Sequence, residues 1–373
     1  MDKTIKSNDW VKHSESLNKE FGNRSIAHCQ MLNGGNFAVT PGSLNACGSA
    51  THAKGSPSIC KYNEPNVRAE EFLTGLGKII RDNQTDQGPC VGCRYLIQTK
   101  IPKKFVAQYF SGISLHDFSG CNAKCVYCAG SEYFLDKDFT ASVDHEVLFK
   151  NLFDQRLIRP KGSTISWGGG EPSLVNTFER TVEFLRSKDI NQIINTSAIK
   201  FSPSIQKVLE ERRATVRIST DSGTNETYEK VKRNRNAEYV WKSIKRYASS
   251  GGDLVIKYIV FSMNSDVSEV ERFIERCAES GVKKICISVD AHAVYSVESN
   301  QPKIGMKEWV AAGIMHNLAI SKNIAPHFES IWPEDHLEKI KAICNYKPPK
   351  RVINVHTVFR KGKSLVKGFV RQF

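Results

Sequence analysis

Residues 113–128 read ISLHDFSGCNAKCVYC, a short apolar run followed by a loop with cysteines at positions 121, 125 and 128. Three thiolates on one short loop can hold three irons of a cubane [4Fe-4S] cluster and leave the fourth iron without a protein ligand. A structural zinc site needs four protein ligands, and no fourth cysteine or histidine follows at zinc-finger spacing. The loop therefore favours an iron–sulfur cluster held by Cys121, Cys125 and Cys128, with one open coordination position.

A glycine-rich turn, WGGGEP at residues 167–172, follows the next apolar run along the chain. Glycines allow the backbone to approach a ligand closely and leave polar backbone groups free to bind it. Alone, such a turn would merely reverse the chain. One strand after the cysteine loop, it indicates a second part of the same binding site.

From residue 113 onward, apolar runs alternate with segments of helical periodicity, which is typical of βα units around a parallel sheet. A right-handed series of six such units predicts an α/β fold, a partial (β/α)6 TIM-like barrel. Helices are also predicted at 306–321 and 334–344, and a hairpin at 352–370. The predicted barrel strands are 113–118, 164–167, 192–195, 215–220, 254–261 and 284–289, with helices near 145–157, 176–187, 204–211, 239–249 and 267–280.

Strand parity predicts which side chains line the lumen. Alternate residues of a strand face opposite sides, and the outer side of such a barrel must be apolar to pack against helices. A lumen lined by charged and hydroxyl groups predicts a binding cavity, since such groups are costly to bury without partners. The parity of the fourth to sixth strands places these residues inward: Arg217, Ser219, Asp221, Lys257, Cys286, Ser288 and Asp290.

The order of the two motifs resembles the radical S-adenosylmethionine (SAM) superfamily. The cysteine spacing, with the aromatic Tyr127 before the last cysteine, and the GGEP sequence of Gly169, Gly170, Glu171 and Pro172 carry the resemblance, which covers about residues 110–290. It implies a [4Fe-4S] cluster whose open iron binds SAM through its amino and carboxylate groups. Reduction of the cluster would then split SAM into methionine and a 5′-deoxyadenosyl radical, which abstracts hydrogen from a substrate.

The resemblance also implies roles for other residues. The GGEP edge would hold the methionyl ammonium of SAM, and an electron donor such as flavodoxin or ferredoxin would supply the reducing electron. Lys257, or instead Lys232 and Arg233, would pair with the methionyl carboxylate through a charge-assisted bond. The positions at which the superfamily contacts the ribose or that carboxylate are Asn195, Ser197, Ser219 and Asp221.

Five further cysteines lie before residue 105, in a stretch where only residues 70–81 show a helical stripe. Cys90 and Cys93 form a CxxC pair, a spacing compatible with a zinc site, an iron–sulfur site or a redox dithiol. The stretch resembles the auxiliary modules called SPASM and twitch, although here it precedes the barrel. That resemblance implies a second [4Fe-4S] cluster, with zinc as the rival metal, on Cys29, Cys47, Cys90 and Cys93, where Cys60 is a substitute for either of the first two.

The 373 residues include 53 lysines and arginines against 39 acidic residues, with 40% apolar residues and 11 cysteines. This apolar fraction is enough for a core and excludes wholesale disorder, collagen-like repeats and coiled coil. No apolar run long enough for a membrane span occurs, and the N-terminus lacks the apolar core of a signal peptide, so a cytoplasmic protein is expected. The predicted domains are an auxiliary cysteine module at 1–105, a radical SAM barrel at 106–300 and a helical, basic extension at 301–373.

The substrate is expected at the carboxyl-terminal mouth of the barrel, where Asp290 and His292 are candidates for a general acid or base. The resemblance implies oxidation of, or bond formation in, a peptide or a small polar molecule such as a sugar or cyclitol. A radical methyltransferase or epimerase is the alternative enzyme. The basic segment 346–373 leaves open a zinc-stabilised nucleic-acid-binding protein, but no RNA-binding or DNA-binding motif accompanies it, so nucleic acid is not indicated as a partner.

Overall fold

The computed structural model describes residues 7–33, 35–47, 56–61, 69–93, 95–100, 109–128, 141–290, 294 and 304–345. The predictions that concern His292, the hairpin at 352–370 and the basic segment 346–373 lie outside the described residues. Among the helices in the described ranges, none is long and apolar enough to span a membrane.

Strands and helices alternate along most of the described chain. The strands are β1 (Ser25–His28), β2 (Asn36–Thr40), β3 (Ser43–Asn45), β4 (Ser58–Lys61), β5 (Ile97–Lys100), β6 (Gly112–Leu115), β7 (Thr164–Trp167), β8 (Asn191–Thr196), β9 (Ala214–Ser219), β10 (Asp253–Val260), β11 (Lys284–Val289) and β12 (Ala325–Phe328). The helices are α1 (Ser7–Phe21), α2 (Ala69–Asp82), α3 (His145–Asp154), α4 (Phe178–Ser187), α5 (Pro203–Glu210), α6 (Asn225–Lys232), α7 (Ala237–Ala248), α8 (Val267–Glu279), α9 (Met306–Ser321) and α10 (Glu334–Cys344).

One large sheet has the strand order β12-β11-β10-β9-β8-β7-β6-β2-β3-β4, and β1 pairs with β5 in a separate antiparallel ribbon. Every pair from β12 through β6 to β2 is parallel, and β2-β3 and β3-β4 are antiparallel. The six predicted barrel strands correspond to β6–β11, so the α/β fold with a barrel-type parallel sheet is confirmed. Within the described residues the sheet is open at β12 and β4, and β12 is a parallel strand that the sequence did not predict.

The inner face of this sheet, here called the lumen, has the predicted polarity. Val216 and Ile218 of β9 are fully buried, whereas Arg217 between them is half-buried. On β10, Tyr258 packs outward against Phe273 of α8, with ring centroids 4.7 Å apart. The helices therefore cover the apolar face of the strands, and the alternate polar side chains line the lumen.

Short polar caps fix where helices begin between the strands. The Asp144 side chain accepts hydrogen bonds from two backbone N–H groups at the start of α3. The Ser202 hydroxyl accepts from the Ile205 N–H at the start of α5, and the Thr224 hydroxyl accepts from the Thr227 N–H at the start of α6. These side chains satisfy N–H groups that have no partner within their helices, and they set the direction in which α6 leaves β9.

The N-terminal residues extend the barrel sheet. β2 pairs with β6 in parallel, and Phe37 of β2 packs in a buried cluster with Phe72 of α2 and Phe110, with ring centroids 4.6 to 5.8 Å apart. The predicted helix at 70–81 is confirmed as α2. The sequence did not predict α1 or the strands β1–β5, because strands of three to five residues offer too few alternating positions to be recognised.

Because this aromatic cluster joins the N-terminal strands to the barrel, Phe37→Ala should destabilise both together. Loss of a fully packed phenylalanine costs about 3–5 kcal/mol, and the variant should still unfold in a single urea transition. Tyr239→Ala is the control, since this side chain is 65% exposed and its loss should change the free energy of unfolding by less than about 0.5 kcal/mol. Two separate transitions in the wild type would contradict a shared core.

Candidate functional site

The cysteine loop lies directly after β6, at the carboxyl ends of the parallel strands. Cys121, Cys125 and Cys128 are each half-buried, and the N–H of Ala123 donates to Cys121 Sγ at 3.4 Å. Burial raises the pKa of Cys121 to about 12. The loop thus presents three thiols from a short, partly enclosed segment.

Backbone hydrogen bonds fix this loop to the end of α6. The N–H of Lys124 donates to the carbonyl of Lys232 at 2.9 Å, and the N–H of Val126 donates to the carbonyl of Val231 at 3.0 Å. These bonds use the backbone of residues between the cysteines, so the attachment of the loop to α6 does not involve the thiols. Sequence reasoning missed this support, because α6 was not predicted as a helix.

Asn122 connects the loop to two further elements. Its side-chain oxygen accepts a hydrogen bond from the Ser197 hydroxyl at 2.9 Å, and its carbonyl accepts from the Asn234 side chain at 2.8 Å. Ser197 follows β8, and this hydrogen bond places it beside the cysteine loop. Asn122 itself was not identified from the sequence, since one asparagine between cysteines gives no distinctive signal.

The glycine-rich turn packs against the backbone that leads into the cysteine loop. The N–H of Gly170 donates to the carbonyl of Phe118 at 3.1 Å, and the N–H of Glu171 donates to that of Gly120 at 2.8 Å. A Cβ atom on Gly170 would overlap the Gly120 carbonyl, and Gly169 has a φ of +78°. The expectation that this turn leaves its polar backbone groups free is wrong for these two N–H groups, because they extend the β6–β7 pairing.

The Glu171 carboxylate is 2% exposed and is engaged by protein groups. One oxygen accepts from the Ser173 hydroxyl and the Thr196 hydroxyl, both at 2.6 Å, and the other accepts from the N–H of Ser197 at 2.6 Å. Glu171 therefore ties the end of β7 to the end of β8. Asn195, at the same strand end, is exposed and donates from its side chain to the Trp167 carbonyl at 2.9 Å.

Tyr127, Asp221 and Lys232 form a polar cluster behind the cysteines, in which Asp221 and Lys232 are buried and Tyr127 is half-buried. One Asp221 oxygen accepts from the Tyr127 hydroxyl and from the Lys232 ammonium, both at 2.5 Å, and the other accepts from the Ile259 N–H at 2.7 Å. The Lys232 ammonium also donates to the Tyr127 hydroxyl at 2.5 Å, and the Cys125 thiol interacts electrostatically with both side chains. The sequence placed Tyr127 and Asp221 at the site, and the structure joins them through Lys232.

The charges in this cluster are mutually dependent. Burial, and then the Asp221 carboxylate, raises the pKa of Tyr127 well above its ordinary value. Burial alone would lower the pKa of Lys232, but the Asp221 carboxylate raises it above its ordinary value. The result is a protonated tyrosine and a charged lysine beside one of the predicted cluster ligands.

A second polar group lies in the lumen on β10–β12. Lys257 forms an ion pair with Glu329 at 2.7 Å, and Glu329 also accepts a hydrogen bond from the Ser288 hydroxyl. Burial alone would raise the pKa of Glu329, but the adjacent Lys257 ammonium holds it below its ordinary value. Ser219 is half-buried and lies in register with Lys257. Glu329 was not identified from the sequence, because β12 is short, contains Pro326 and is partly exposed, which gives no strand pattern.

Asp290 lies immediately after β11 and is half-buried, with its backbone carbonyl accepting from the N–H of Val294 at 3.2 Å. This places it at the same end of the sheet as the cysteine loop. Its predicted companion His292 lies outside the described residues.

Four N-terminal cysteines line a cavity of about 600 Å³, together with Ser114 of β6 and Ser166 of β7 from the lumen. Burial raises the pKa of Cys90 to about 11 and also raises that of Cys29. In the described ranges, no three His, Cys, Asp or Glu side chains are grouped to hold a single metal ion. The lining cysteines are Cys29, Cys47, Cys90 and Cys93; Cys60, on β4, is not among the residues that line this cavity.

The central segment of the chain is similar to a known protein family. Residues 116–277 match a family model described as the radical SAM superfamily. A GTP 3′,8-cyclase from Clostridium botulinum is 26% identical over 135 residues, which are 35% of this chain and 41% of the cyclase. This chain therefore spans about two fifths of the length of that relative.

Comparison with solved structures gave matches with TM-scores below 0.5. Streptococcus suis SuiB bound to precursor peptide SuiA is 14% identical to this chain. The alignment covers 73% of this chain and 58% of the SuiB chain, with a TM-score of 0.46. A radical SAM methyltransferase from Sphaerobacter thermophilus is 13% identical to this chain. The alignment covers 56% of this chain and 63% of the methyltransferase chain, with a TM-score of 0.42.

The close approach of the two loops predicts that Gly170→Ala disturbs the cysteine loop. The added methyl group would overlap the Gly120 carbonyl, and overpacking of this kind costs about 1–3 kcal/mol. Urea unfolding should show that loss, and iron retained after anaerobic reconstitution should fall. Gly305→Ala is the control, because its Cβ would meet only the flexible end of Glu308 at 3.3 Å. Equal stability of the two variants would argue against tight packing at residue 170.

Removal of one partner from the buried Asp221–Lys232 pair should be strongly destabilising. Lys232→Met leaves the Asp221 carboxylate buried without its cation, which costs about 3–5 kcal/mol. Lys78→Met removes an exposed ion pair with Asp82 and should cost less than about 1 kcal/mol. The free energy of unfolding in urea measures both, and similar losses in the two variants would show that the buried pair contributes little.

Proposed function

From the match of residues 116–277 to the radical SAM family model, which indicates an enzyme, we propose that Cys121, Cys125 and Cys128 hold a [4Fe-4S] cluster at which SAM binds. The observation that carries this proposal is the support of the cysteine loop by residues other than its thiols. Backbone bonds from Lys124 and Val126 hold the loop, which leaves all three thiols for a metal group. The donor set, three thiols on one loop, suits a cubane cluster.

When bound, the reduced cluster and SAM supply a 5′-deoxyadenosyl radical that abstracts hydrogen from the substrate. The chain's own residues bind and orient SAM. Asn195, Ser197 and Ser219, at the ends of β8 and β9, are assigned to the ribose and methionyl carboxylate of SAM. Lys257 is paired with Glu329 and Lys232 with Asp221, so of the cations predicted for that carboxylate Arg233 is assigned to it. The turn at Gly169 and Gly170 is assigned to the methionyl ammonium.

Glu171, Asp221 and Tyr127 are assigned as positioning residues. Their polar atoms are engaged by protein groups, so they act by fixing the loops that bind the cofactor. Asp290, at the end of β11, is assigned together with His292 as a general acid or base for the substrate.

A second [4Fe-4S] cluster is proposed on Cys29, Cys47, Cys90 and Cys93. Their common cavity supports this assignment, since it also reaches the lumen side chains Ser114 and Ser166. A cluster there would lie beside the substrate space rather than on a remote surface. Zinc on the same four thiols is the alternative.

The proposed substrate is a peptide or a small polar molecule, which fits a lumen lined by charged and hydroxyl side chains. Oxidation of the substrate or formation of a new bond within it is the proposed outcome. An electron donor such as flavodoxin or ferredoxin would supply the electrons. The cyclase relative acts on GTP by its name, and a nucleotide is therefore one member of the small polar class to be tested.

The assignment is tested by the metal content of anaerobically reconstituted protein. The wild type should contain about eight irons and eight sulfides per chain, and a variant with Cys121, Cys125 and Cys128 all changed to Ala about four. The Cys125→Ala variant should form no 5′-deoxyadenosine from SAM with dithionite as reductant. Cys344→Ala is the control, since this residue lies on α10 and should leave both measurements unchanged.

Each contrary outcome identifies the part of the proposal that fails. SAM cleavage by the Cys125→Ala variant would sink the assignment of the cysteine loop. About four irons and one zinc in the wild type, with only the zinc left in the triple variant, would make the four N-terminal cysteines a structural zinc site. Replacement of both Cys90 and Cys93 by Ala should remove the second metal group in either case.

A further inference from the structure

Arg217 is a half-buried cation in the lumen that makes no hydrogen bond or ion pair with the described residues. It lies on the inward side of β9, in register with Asn195 of β8 and Val255 of β10. Arg276 of α8, on the outer side of the sheet, shows how a buried arginine is usually satisfied by protein groups. It donates to the Gly223 carbonyl, to Asn225 and to Glu238.

A half-buried guanidinium that no protein group engages keeps its donors free for a ligand that enters the lumen. Arginine presents a planar fork of donors that matches a carboxylate with two parallel hydrogen bonds. Arg217 is held on a central strand rather than on a loop, and this fixes the direction from which a ligand carboxylate approaches the guanidinium.

The neighbours of Arg217 define the charge that a ligand should carry. Arg217 interacts electrostatically with two carboxylates, Glu329 and Asp253, and each of these already has a lysine partner. Lys257 pairs with Glu329 and Lys284 pairs with Asp253, both at 2.7 Å. Three cations, Arg217, Lys257 and Lys284, and two carboxylates, Glu329 and Asp253, leave a net charge of +1 around Arg217. A monoanionic carboxylate balances that charge, whereas a phosphate dianion would exceed it and be repelled by Glu329.

We propose that Arg217 binds a carboxylate group of the substrate, in a subsite that Lys257, Glu329 and Cys286 complete between β9 and β12. The inference rests on the proposed function, because it names the substrate class for the same lumen: a carboxylic acid, such as an amino acid, an acidic peptide or a sugar acid. Lys257 and Glu329 form the wall of the subsite, and Ser288 holds Glu329 in place.

Cys286 provides a reporter inside this subsite, since it interacts electrostatically with Arg217. The experiment compares alkylation by iodoacetate, which carries a carboxylate, with alkylation by the neutral iodoacetamide, on reconstituted protein saturated with SAM. Both reagents attack the same thiolate, so the ratio of their rates does not depend on the pKa of the thiol. Mass spectrometry of the peptides gives this ratio at Cys286 and, in the same molecules, at Cys344 as the internal reference.

In the wild type, the iodoacetate-to-iodoacetamide ratio should be about tenfold higher at Cys286 than at Cys344, as expected for a charge-assisted hydrogen bond that holds the reagent's carboxylate. Arg217→Gln should bring the two ratios together, and Arg217→Lys should give an intermediate value, because it keeps the charge without the planar fork. Arg213→Gln is the matched control: it removes an arginine that precedes β9 and pairs with Asp189.

Competition by small anions for the subsite can be measured on the wild-type protein. Acetate should slow the alkylation of Cys286 more than inorganic phosphate does at equal concentration and ionic strength, and neither should affect Cys344. Stronger protection by phosphate would overturn the carboxylate assignment. Equal ratios at the two cysteines, or no alkylation of Cys286 by either reagent, would overturn the subsite itself.

Failure of this inference is distinguishable from failure of the proposed function. Formation of 5′-deoxyadenosine from SAM is measured on the same wild-type preparation. Protein that cleaves SAM but shows no carboxylate preference at Cys286 loses only the subsite, and protein that shows the preference but does not cleave SAM loses only the radical chemistry.

Discussion

The continuation of the β6–β7 pairing into the two loops beyond the strands is the constraint on which the candidate site depends. The N–H groups of Gly170 and Glu171 bond to the carbonyls of Phe118 and Gly120. This contact needs residue 170 to lack a side chain, and it brings the glycine-rich turn against the approach to the cysteine loop. Because the turn carries Glu171, the same contact positions the carboxylate that joins β7 to β8.

Electrostatics adds a second layer of support behind the cysteines. Asp221 and Lys232 are buried, Tyr127 is half-buried, and each relies on the others for hydrogen bonds. Burial of such groups is favourable only when all are satisfied, since one missing partner leaves a charge in a medium of low dielectric constant. The cluster therefore fixes the relative positions of the cysteine loop, the end of β9 and the end of α6.

The sequence predicted the parallel strands and the parity of the lumen well, because those strands carry regular apolar alternation and lie next to helices of strong periodicity. It also located the cysteine loop and the glycine-rich turn from spacing alone. It missed α6, β12 and the N-terminal strands. Those elements are short, and their contributions to the site, Lys232 and Glu329, become visible only when tertiary pairing brings distant segments together.

The function proposed for a glycine can also differ from the reason for its presence. The expected role of Gly170 was close approach to a ligand, and in the structure the close approach is to another part of the backbone. Both roles favour the same residue, because each excludes a Cβ atom. Sequence alone cannot separate them, since the partner that comes close lies some 50 residues earlier in the chain, a separation that follows from positions 120 and 170.

Strand β6 links the two cysteine sets across the lumen. The loop with Cys121, Cys125 and Cys128 follows its carboxyl end, and the cavity lined by the four N-terminal cysteines includes Gly112 at its first position. A strand rises about 3.3 Å per residue, so the four residues of β6 separate these two ends by roughly 10–13 Å. A substrate held in the lumen, with its carboxylate at Arg217 of β9, would then lie between the two sites at which we propose metal groups. The strands that form the barrel would in that case also set the distance between the two sites.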